Sequence, residues 1–357
     1  MAYYFLTASK DASVYLQQPN QNTGLDEILE ISKTYYSGIE DISRALIQFN
    51  LSSLSSSISN GSIQLTNVNL ILKETQSEEI PLEYTIYAYP ISGSWEMGIG
   101  YRFDEVSTAG VSWNYREGNS DTVWLSGSIA GNSDSNGVDG RGGVWFTTVS
   151  ASQNFSYTTS DINMDVKNII LQWLSGSLPN NGFILKYSSA YENDNNDYGK
   201  IKLFSKETHT IYQPKLSVSW DDQQIVTGSL SPLSVDDDIV VRVKNLSKEY
   251  KVNSKSKLRI VGRELYPLKT FTNSYPHLDV KYLPTSSYYQ IKDYETDEVI
   301  IPFGIHSKIS CDSNGNYINL DFTNWESDRT YKIEFKVESL DSTSYFDNDI
   351  VFKLVNK

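Results

Sequence analysis

The sequence is short of several chemistries, and each shortage excludes something. Cys311 is the single cysteine in 357 residues, so no disulfide can close within the chain. Three histidines occur, His209, His277 and His306, which leaves three positions at which a Ser–His–Asp triad could be built. His209 stands among hydroxyls in Thr208-His209-Thr210, no Gly-x-Ser-x-Gly elbow is present, and no motif surrounds Cys311. A structural or surface role is the better reading of each histidine. No apolar run approaches the roughly 20 residues of a membrane helix. Met1 to Leu6 is apolar but has no basic start, and Lys10 and Asp11 end the run, so no secretory signal is expected. Positive charge is also scarce. The net charge is −14, and the densest basic stretch, Lys248 to Arg263, is diluted by Glu and Ser, which argues against nucleic acid as a partner.

What is present points to packed β-structure. The chain is 39% hydrophobic and 13% aromatic, enough to build real cores. Its 25 tyrosines suit half-buried sheet faces, where the ring packs and the hydroxyl stays wet. A chain of this length predicts two domains. The stretch Lys215-Leu-Ser-Val-Ser-Trp220 alternates as a half-buried strand, and after Asp222 the texture turns to Gly228, Ser229, Ser231 and Pro232. The boundary is therefore placed at 222/223.

Along the first unit, residues 4–16 read as two short strands about a turn at Ser9-Lys10-Asp11. Arg44 to Leu51, Val68 to Leu72, Leu82 to Tyr89 and Phe183 to Tyr187 read as further strands. Residues 91–150 carry Trp95, Trp113, Trp124 and Trp145 among many glycines and read as elaborated loops. Ser52 to Gly61 reads as a Ser-rich turn with room for one helical turn at Leu54. The clear helix is Asp165 to Leu174, with Val166, Ile169, Ile170 and Trp173 at helical spacing, Asp165 as its cap and Gly176 beyond its end. The second unit offers strands at 239–243, 258–261, 289–291, 317–322, 331–337 and 350–354, with a hairpin turn at Ser313-Asn314-Gly315-Asn316. The expected fold is all-β: a jelly-roll-like sandwich with one short helix, then a smaller Ig-like β domain.

Three kinds of site can be weighed. Calcium would draw on Asp134, Asn136 and Asp139, or on Asn193-Asp-Asn-Asn-Asp197, yet neither stretch has the spacing of a known loop, and Asp, Asn and Gly are ordinary turn residues. Solvated turns are favoured, and no cofactor is expected. Carboxylate pairs for glycoside hydrolysis arise by chance among 44 acidic residues. Accessible aromatics are the third kind. Tyr35, Tyr36, Tyr101, Tyr115, Trp124, Tyr282 and Tyr288 are the candidates for protein or glycan contact, whereas Trp113, Trp145 and Trp173 read as core. The long connection 266–287, with Pro267, Pro276 and Pro284, is a candidate contact segment.

Several pieces in order resemble the DNRLRE-type β-sandwich modules: Asp11-Ala-Ser-Val-Tyr15, Ser43 to Leu51, Asn69 to Leu72, Trp95, Val111-Ser-Trp113, Asp165-Val166 leading to Trp173, Asn181 to Leu185 and Pro214 to Val218. This covers the first 220 residues or so. The resemblance implies a carbohydrate-binding or cell-surface context and supplies no site motif. The whole chain, including Gly262 to Pro267, Tyr282 to Tyr289 and Ser310 to Tyr317, is similar to structural proteins of tailed phages, myoviruses of marine bacteria above all. That likeness implies a virion component of the neck, tail or capsid surface, present in many copies and assembled in the host cytoplasm. Its implied partners are other virion proteins and, through an outward-facing domain, host surface glycans. It implies no catalytic residue. The alternative is a carbohydrate-binding module of a secreted or surface protein.

Overall fold

The computed structural model describes residues 2–59, 64–124, 141–156, 161–234, 238–267, 279–339 and 342–356. Strands take 49% of the residues and helices 8%, so the protein is all-β. The chain divides into two compact units: Leu6–Asn60 with Asn67–Ser217, and Met1–Phe5 with Gly61–Thr66 and Val218–Lys357. The division after Ser217 falls inside the strand Lys215–Trp220.

The largest sheet is curled and runs in the order Ile162–Asp165, Leu65–Leu72, Lys215–Trp220, Tyr3–Tyr15, Ile39–Phe49, Phe183–Tyr187, Glu83–Pro90, Ala151–Ser156. A branch leaves Ile39–Phe49 through Ile28–Tyr36 and Gly199–Phe204 to Glu74–Glu78. Ile39–Phe49 is central because it has something to bury on both faces. Ile42 through Ile47 are all buried. Ile42 and Leu46 pack under Trp95, Trp113, Trp124 and Trp145. On the opposite face, Phe49 meets Phe183 edge-on at 6.3 Å, and Trp173 of the helix Lys167–Leu174 lies 4.6 Å from the same ring. Each fully buried aliphatic side chain here contributes about 1.5–3 kcal/mol.

The structure changes three expectations for this unit. Residues Tyr3–Tyr15 form one strand, not two, and the turn signal at Ser9-Lys10-Asp11 becomes a bulge between Ala8 and Lys10. The reason is Asp11, which is buried and accepts a hydrogen bond from the Lys206 backbone N–H at 2.6 Å. The helix starts at Lys167 with Val166 as its cap residue, although Asp165 still accepts from the Lys167 N–H at 2.9 Å. It is also not alone: Ser52–Ser59 is helical and Ser189–Glu192 makes a further short helix.

The Trp-rich stretch after residue 91 has little regular structure, among the described residues the small hairpin of Tyr115–Glu117 and Thr122–Val123 with the 3-10 turn Gly118–Ser120 between its strands. Its backbone is satisfied partly by bonds within the stretch, such as Val111 N–H to Glu96 O and Gly142 N–H to Trp113 O, both at 2.7 Å, and partly by side chains from outside it. The buried Asn22 amide donates to the carbonyls of Met97 and Val111 at 2.7 and 2.8 Å and accepts from the Gly100 N–H at 2.8 Å. Trp95 Nε1 donates to Asn181 O at 2.8 Å. Side chains thus do the pairing that a ladder does elsewhere.

In the second unit two sheets share one core. One contains Ser231–Pro232, Lys281–Tyr282, Lys255–Glu264, Gly315–Asp321 and Ser310–Asp312, with Ile239–Val243 paired to Lys255–Glu264. The other runs Glu249–Lys251, Thr343–Val355, Thr330–Glu338, Ser287–Asp293, Val299–Ile301. Leu258, Ile260, Ile318 and Leu320 of the first pack with Ile291, Ile333, Phe335 and Phe352 of the second. The period-two pattern of 331–337 is realised, with Ile333, Phe335 and Val337 buried. The Asn-Gly turn is there too: Asp312 pairs with Gly315, whose φ of +113° suits glycine. Of the connection 266–287, residues 268–278 lie outside the described residues.

Candidate functional site

The first unit buries an ionic cluster that its strands make unavoidable. Arg44 lies on the same face of Ile39–Phe49 as Ile42 and Leu46, and Lys186 has the same parity as Ile184 on the adjacent strand. Both therefore point under the tryptophan layer. Glu192, from the helix Ser189–Glu192, enters between them. Its two carboxylate oxygens accept from Arg44 Nε at 3.1 Å and Nη2 at 2.9 Å, and Lys186 Nζ lies 2.7 Å away. The Arg44 guanidinium stacks 4.7 Å from the Trp113 ring centre and 5.2 Å from that of Trp145, and Lys186 Nζ is 5.1 Å from Trp145. Arg44 Nη1 also donates to Gly142 O at 2.8 Å. Gly142 has φ +68°, and a Cβ there would come within 2.6 Å of Arg44 Nη1 and 2.7 Å of Trp113. Burial pushes the Glu192 carboxyl up, but Arg44 and Lys186 outweigh it and hold the acid below its usual range. Burial, offset in part by Glu192, brings Lys186 down to about 8. The two cations share one carboxylate, and the cluster is a fastening within the fold.

The open feature is a cleft of about 590 Å³ lined by Leu16, Gln17, Tyr35, Gly38, Ile39, Glu40, Asn193 and Asn195. One wall is the hairpin of Ile28–Tyr36 and Ile39–Phe49, closed by Ser37 and Gly38 at φ +52° and +82°. Positive φ at both turn residues is the type I′ geometry that matches strand twist. The other wall is the loop after Glu192. Glu40 is held by Lys33, whose wholly buried Nζ lies 2.5 Å from Glu40 Oε1, and Gln17 Nε2 donates to the Glu40 backbone oxygen at 2.5 Å. The facing loop is braced by its own acids. Asp194 accepts from Tyr198 Oη at 2.6 Å and from the Asn196 N–H at 2.9 Å, and Asp197 accepts from the Gly199 N–H at 2.8 Å. Tyr191 and Tyr198 stack at 4.2 Å beneath it. Burial raises the Asp194 carboxyl, yet these hydrogen bonds prevail and hold it below its usual range.

A second cleft, about 390 Å³, is lined by Ile99, Gly100, Tyr101, Asp104, Glu105 and Ser107. Beside it Phe103 and Val106 are exposed by 87% and 71%, the largest apolar exposure on any one loop of this unit among the described residues.

The aromatic candidates scatter. Tyr35 lines the first cleft, and Tyr36, 82% exposed, stands at the adjacent hairpin tip. Tyr101 lines the second cleft, and Tyr115 is half-buried in its small hairpin. Trp124 is a correction: it is buried under the same layer as Trp113 and Trp145 and donates from Nε1 to Ser112 O at 3.0 Å, so it presents no surface to a ligand. Tyr282 and Tyr288 belong to the other unit and are half-buried, and Lys336 Nζ lies 4.5 Å over the Tyr288 ring. Of the oxygen-rich stretches, Asp134, Asn136 and Asp139 lie outside the described residues. In the 193–197 loop the acids are committed to turns, and among the described residues no group of three acidic, histidine or cysteine side chains is arranged to hold a metal ion. His209 is exposed beside Glu27, His306 is buried against Tyr3, and His277 lies outside the described residues. Two features went unnoticed in the sequence: the Arg44–Glu192–Lys186 cluster and the pairing of the Tyr35 hairpin with the 193–195 loop. The cluster did leave a trace, a charge directly abutting an apolar run in each of two strands, Arg44-Ala-Leu-Ile and Phe-Ile-Leu-Lys186.

No family model matches the chain, and no curated protein matches it significantly. Among solved structures, a DUF4785 family protein from Legionella pneumophila aligns over 99% of this chain at 10% identity and a TM-score of 0.20. This chain spans 62% of that protein's length. At that score the alignment carries no argument about fold or function. No helix among the described residues is long and apolar enough to cross a membrane.

Proposed function

We propose that the protein is a non-enzymatic structural component of a tailed-phage virion, a neck, tail or capsid-surface protein that works by docking on other virion proteins. In this reading the first unit is a jelly-roll-like sandwich and the second an Ig-like domain. The observation that carries the docking is the loop 99–106, where Ile99, Phe103 and Val106 stand exposed together, the largest such group on one loop of this unit among the described residues. Large apolar side chains on a loop are costly in water and serve as interface anchors. The likeness to phage structural proteins supplies the particle. The inward pairing of Arg44, Lys186 and Glu192 supports a fold built for firmness more than for proton transfer. Antibody-gold labelling of intact, purified particles tests this. Label at a fixed neck, tail or capsid position supports it; particles that lack the protein even after denaturation refute it.

A second reading has its own observation. The Tyr35 cleft combines an aromatic ring, three amides and a carboxylate on an open surface, the mixture that recognises polyhydroxylated ligands. It favours a glycan-binding role for the first unit, on a particle or as a module of a surface protein. Binding of the full chain to a glycan array tests that reading.

A further inference from the structure

We propose that the Tyr35 cleft takes uncharged pyranose sugars and rejects acidic ones, with Glu40 as the fixed hydroxyl acceptor and Lys33 as the residue that positions it. The proposal rests on the second reading above. Glu40 lines the cleft, while its partner Lys33 is buried completely behind it on the strand Ile28–Tyr36. Lys33 therefore does not offer its charge to a ligand. It holds one carboxylate oxygen, and a carboxylate has about four acceptor sites, so capacity remains for two neighbouring hydroxyls. Burial of the ammonium makes the hold directional, because an unpaired buried charge is strongly disfavoured.

The other lining groups fit the same ligand. Gln17, Asn193 and Asn195 carry amides that donate and accept, as vicinal hydroxyls require. Tyr35 and the exposed Ile39 offer apolar surface to the C–H face of a sugar ring. None of the eight lining residues is cationic. Asp194, next to the two asparagines, already accepts from Tyr198 and Asn196. A carboxylated or sulfated sugar would bring its charge to Glu40 with no cation in the cleft to answer it, on a chain of net charge −14.

Titration calorimetry of the full chain tests this with neutral disaccharides (cellobiose, mannobiose, galactobiose) and with sialyl-lactose and a glucuronic-acid disaccharide. Binding of at least one neutral sugar and at least tenfold weaker binding of the acidic pair is expected. Tyr35→Ala and Glu40→Gln should each weaken the neutral sugar about tenfold, and Glu40→Gln should narrow the gap to the acidic sugars. Lys33→Met should weaken binding by a similar factor, and adding Glu40→Gln to it should cost little more, because the two act as one unit. Tyr288→Ala, in the other unit, should bind as the parent does. If the parent binds no sugar at all, the glycan reading falls and this proposal with it. If it binds and neither Tyr35→Ala nor Glu40→Gln weakens it, the reading stands and the cleft assignment is overturned. Equal binding of acidic sugars overturns the selectivity, and additive losses in the double variant overturn the role of Lys33.

Discussion

Glu192→Gln and Lys186→Met, two substitutions in the same buried cluster, should act in opposite directions. Glu192 is the one anion between two cations that are almost wholly buried. Neutralising it leaves Arg44 and Lys186 side by side without a counter-charge, and breaking a buried ion pair from one side costs about 3–5 kcal/mol. Lys186 is the surplus charge. Its ammonium falls from an ordinary value of 10.5 to about 8 even with Glu192 beside it. Keeping it charged at pH 7 therefore costs the folded state about 3 kcal/mol, at 1.36 kcal/mol per unit. Lys186→Met removes that cost, keeps the stem's volume, and leaves Glu192 paired with Arg44 through two hydrogen bonds. The folded form should then be as stable as the parent or more so. Urea unfolding followed by tryptophan emission reads both, since Trp113 and Trp145 border the cluster. The sign of the pH effect follows as well. A lysine whose folded value is lowered favours the uncharged form, so the parent should gain stability as pH rises from about 8 to 10.5, and Lys186→Met should lose that slope. Equal destabilisation by both substitutions would refute the reasoning.

Asp11 predicts a pH effect of the opposite sign at lower pH. Burial pushes its carboxyl up from 3.8 to about 7, so the folded state holds a proton that the unfolded chain releases. Stability of the parent should fall by about 4 kcal/mol as pH rises from about 4 to 7, and Asp11→Asn should flatten that part of the profile, as thermal melts across pH would show. Ser37 holds φ +52° at the hairpin tip, so Ser37→Asn should stabilise by about 0.5–1 kcal/mol in urea titration. Phe183→Ala should cost about 3–5 kcal/mol, because it removes the ring between Phe49 and Trp173. Phe103→Ser should leave the unfolding free energy in urea within about 0.5 kcal/mol of the parent yet abolish incorporation into particles if loop 99–106 is the docking loop.

Much of the framework could be read from local pattern. Ile333, Phe335 and Val337 alternate with charged neighbours, and an alternation of that kind has one stable solution against a core. Asn314-Gly315 asks for positive φ, and Gly315 has it. Where the pattern misled, a long-range partner had the last word. Ser9-Lys10-Asp11 has turn composition, but Lys206, 195 residues further on, captures the Asp11 side chain and keeps the strand whole. The buried cluster was hidden for the same reason, since Arg44 and Glu192 lie 148 residues apart. So was the cleft, because Tyr35 and Asn195 are brought together only when Glu192 anchors the loop that begins after it.

That anchoring joins the framework to the candidate site. Loop tryptophans invite a reading as sugar platforms, yet Trp113, Trp124 and Trp145 are buried over the central strand, two of them against Arg44. Their rings are committed, so contact falls to the tyrosines and amides at the rim. The rim in turn depends on the cluster. Glu192 ends the short helix that leads into the loop carrying Asn193 and Asn195, and its carboxylate is tied to two different strands. Releasing Glu192 should free the asparagine wall while Tyr35 and Glu40 stay on their hairpin. The consequence is a testable ordering: Glu192→Gln should weaken a ligand of the cleft more than Asn195→Ala does, although Glu192 itself never meets the ligand. If Glu192→Gln, at a urea concentration where the variant is still folded, binds as tightly as the parent, the wall is held by its Asp194 and Asp197 turns alone.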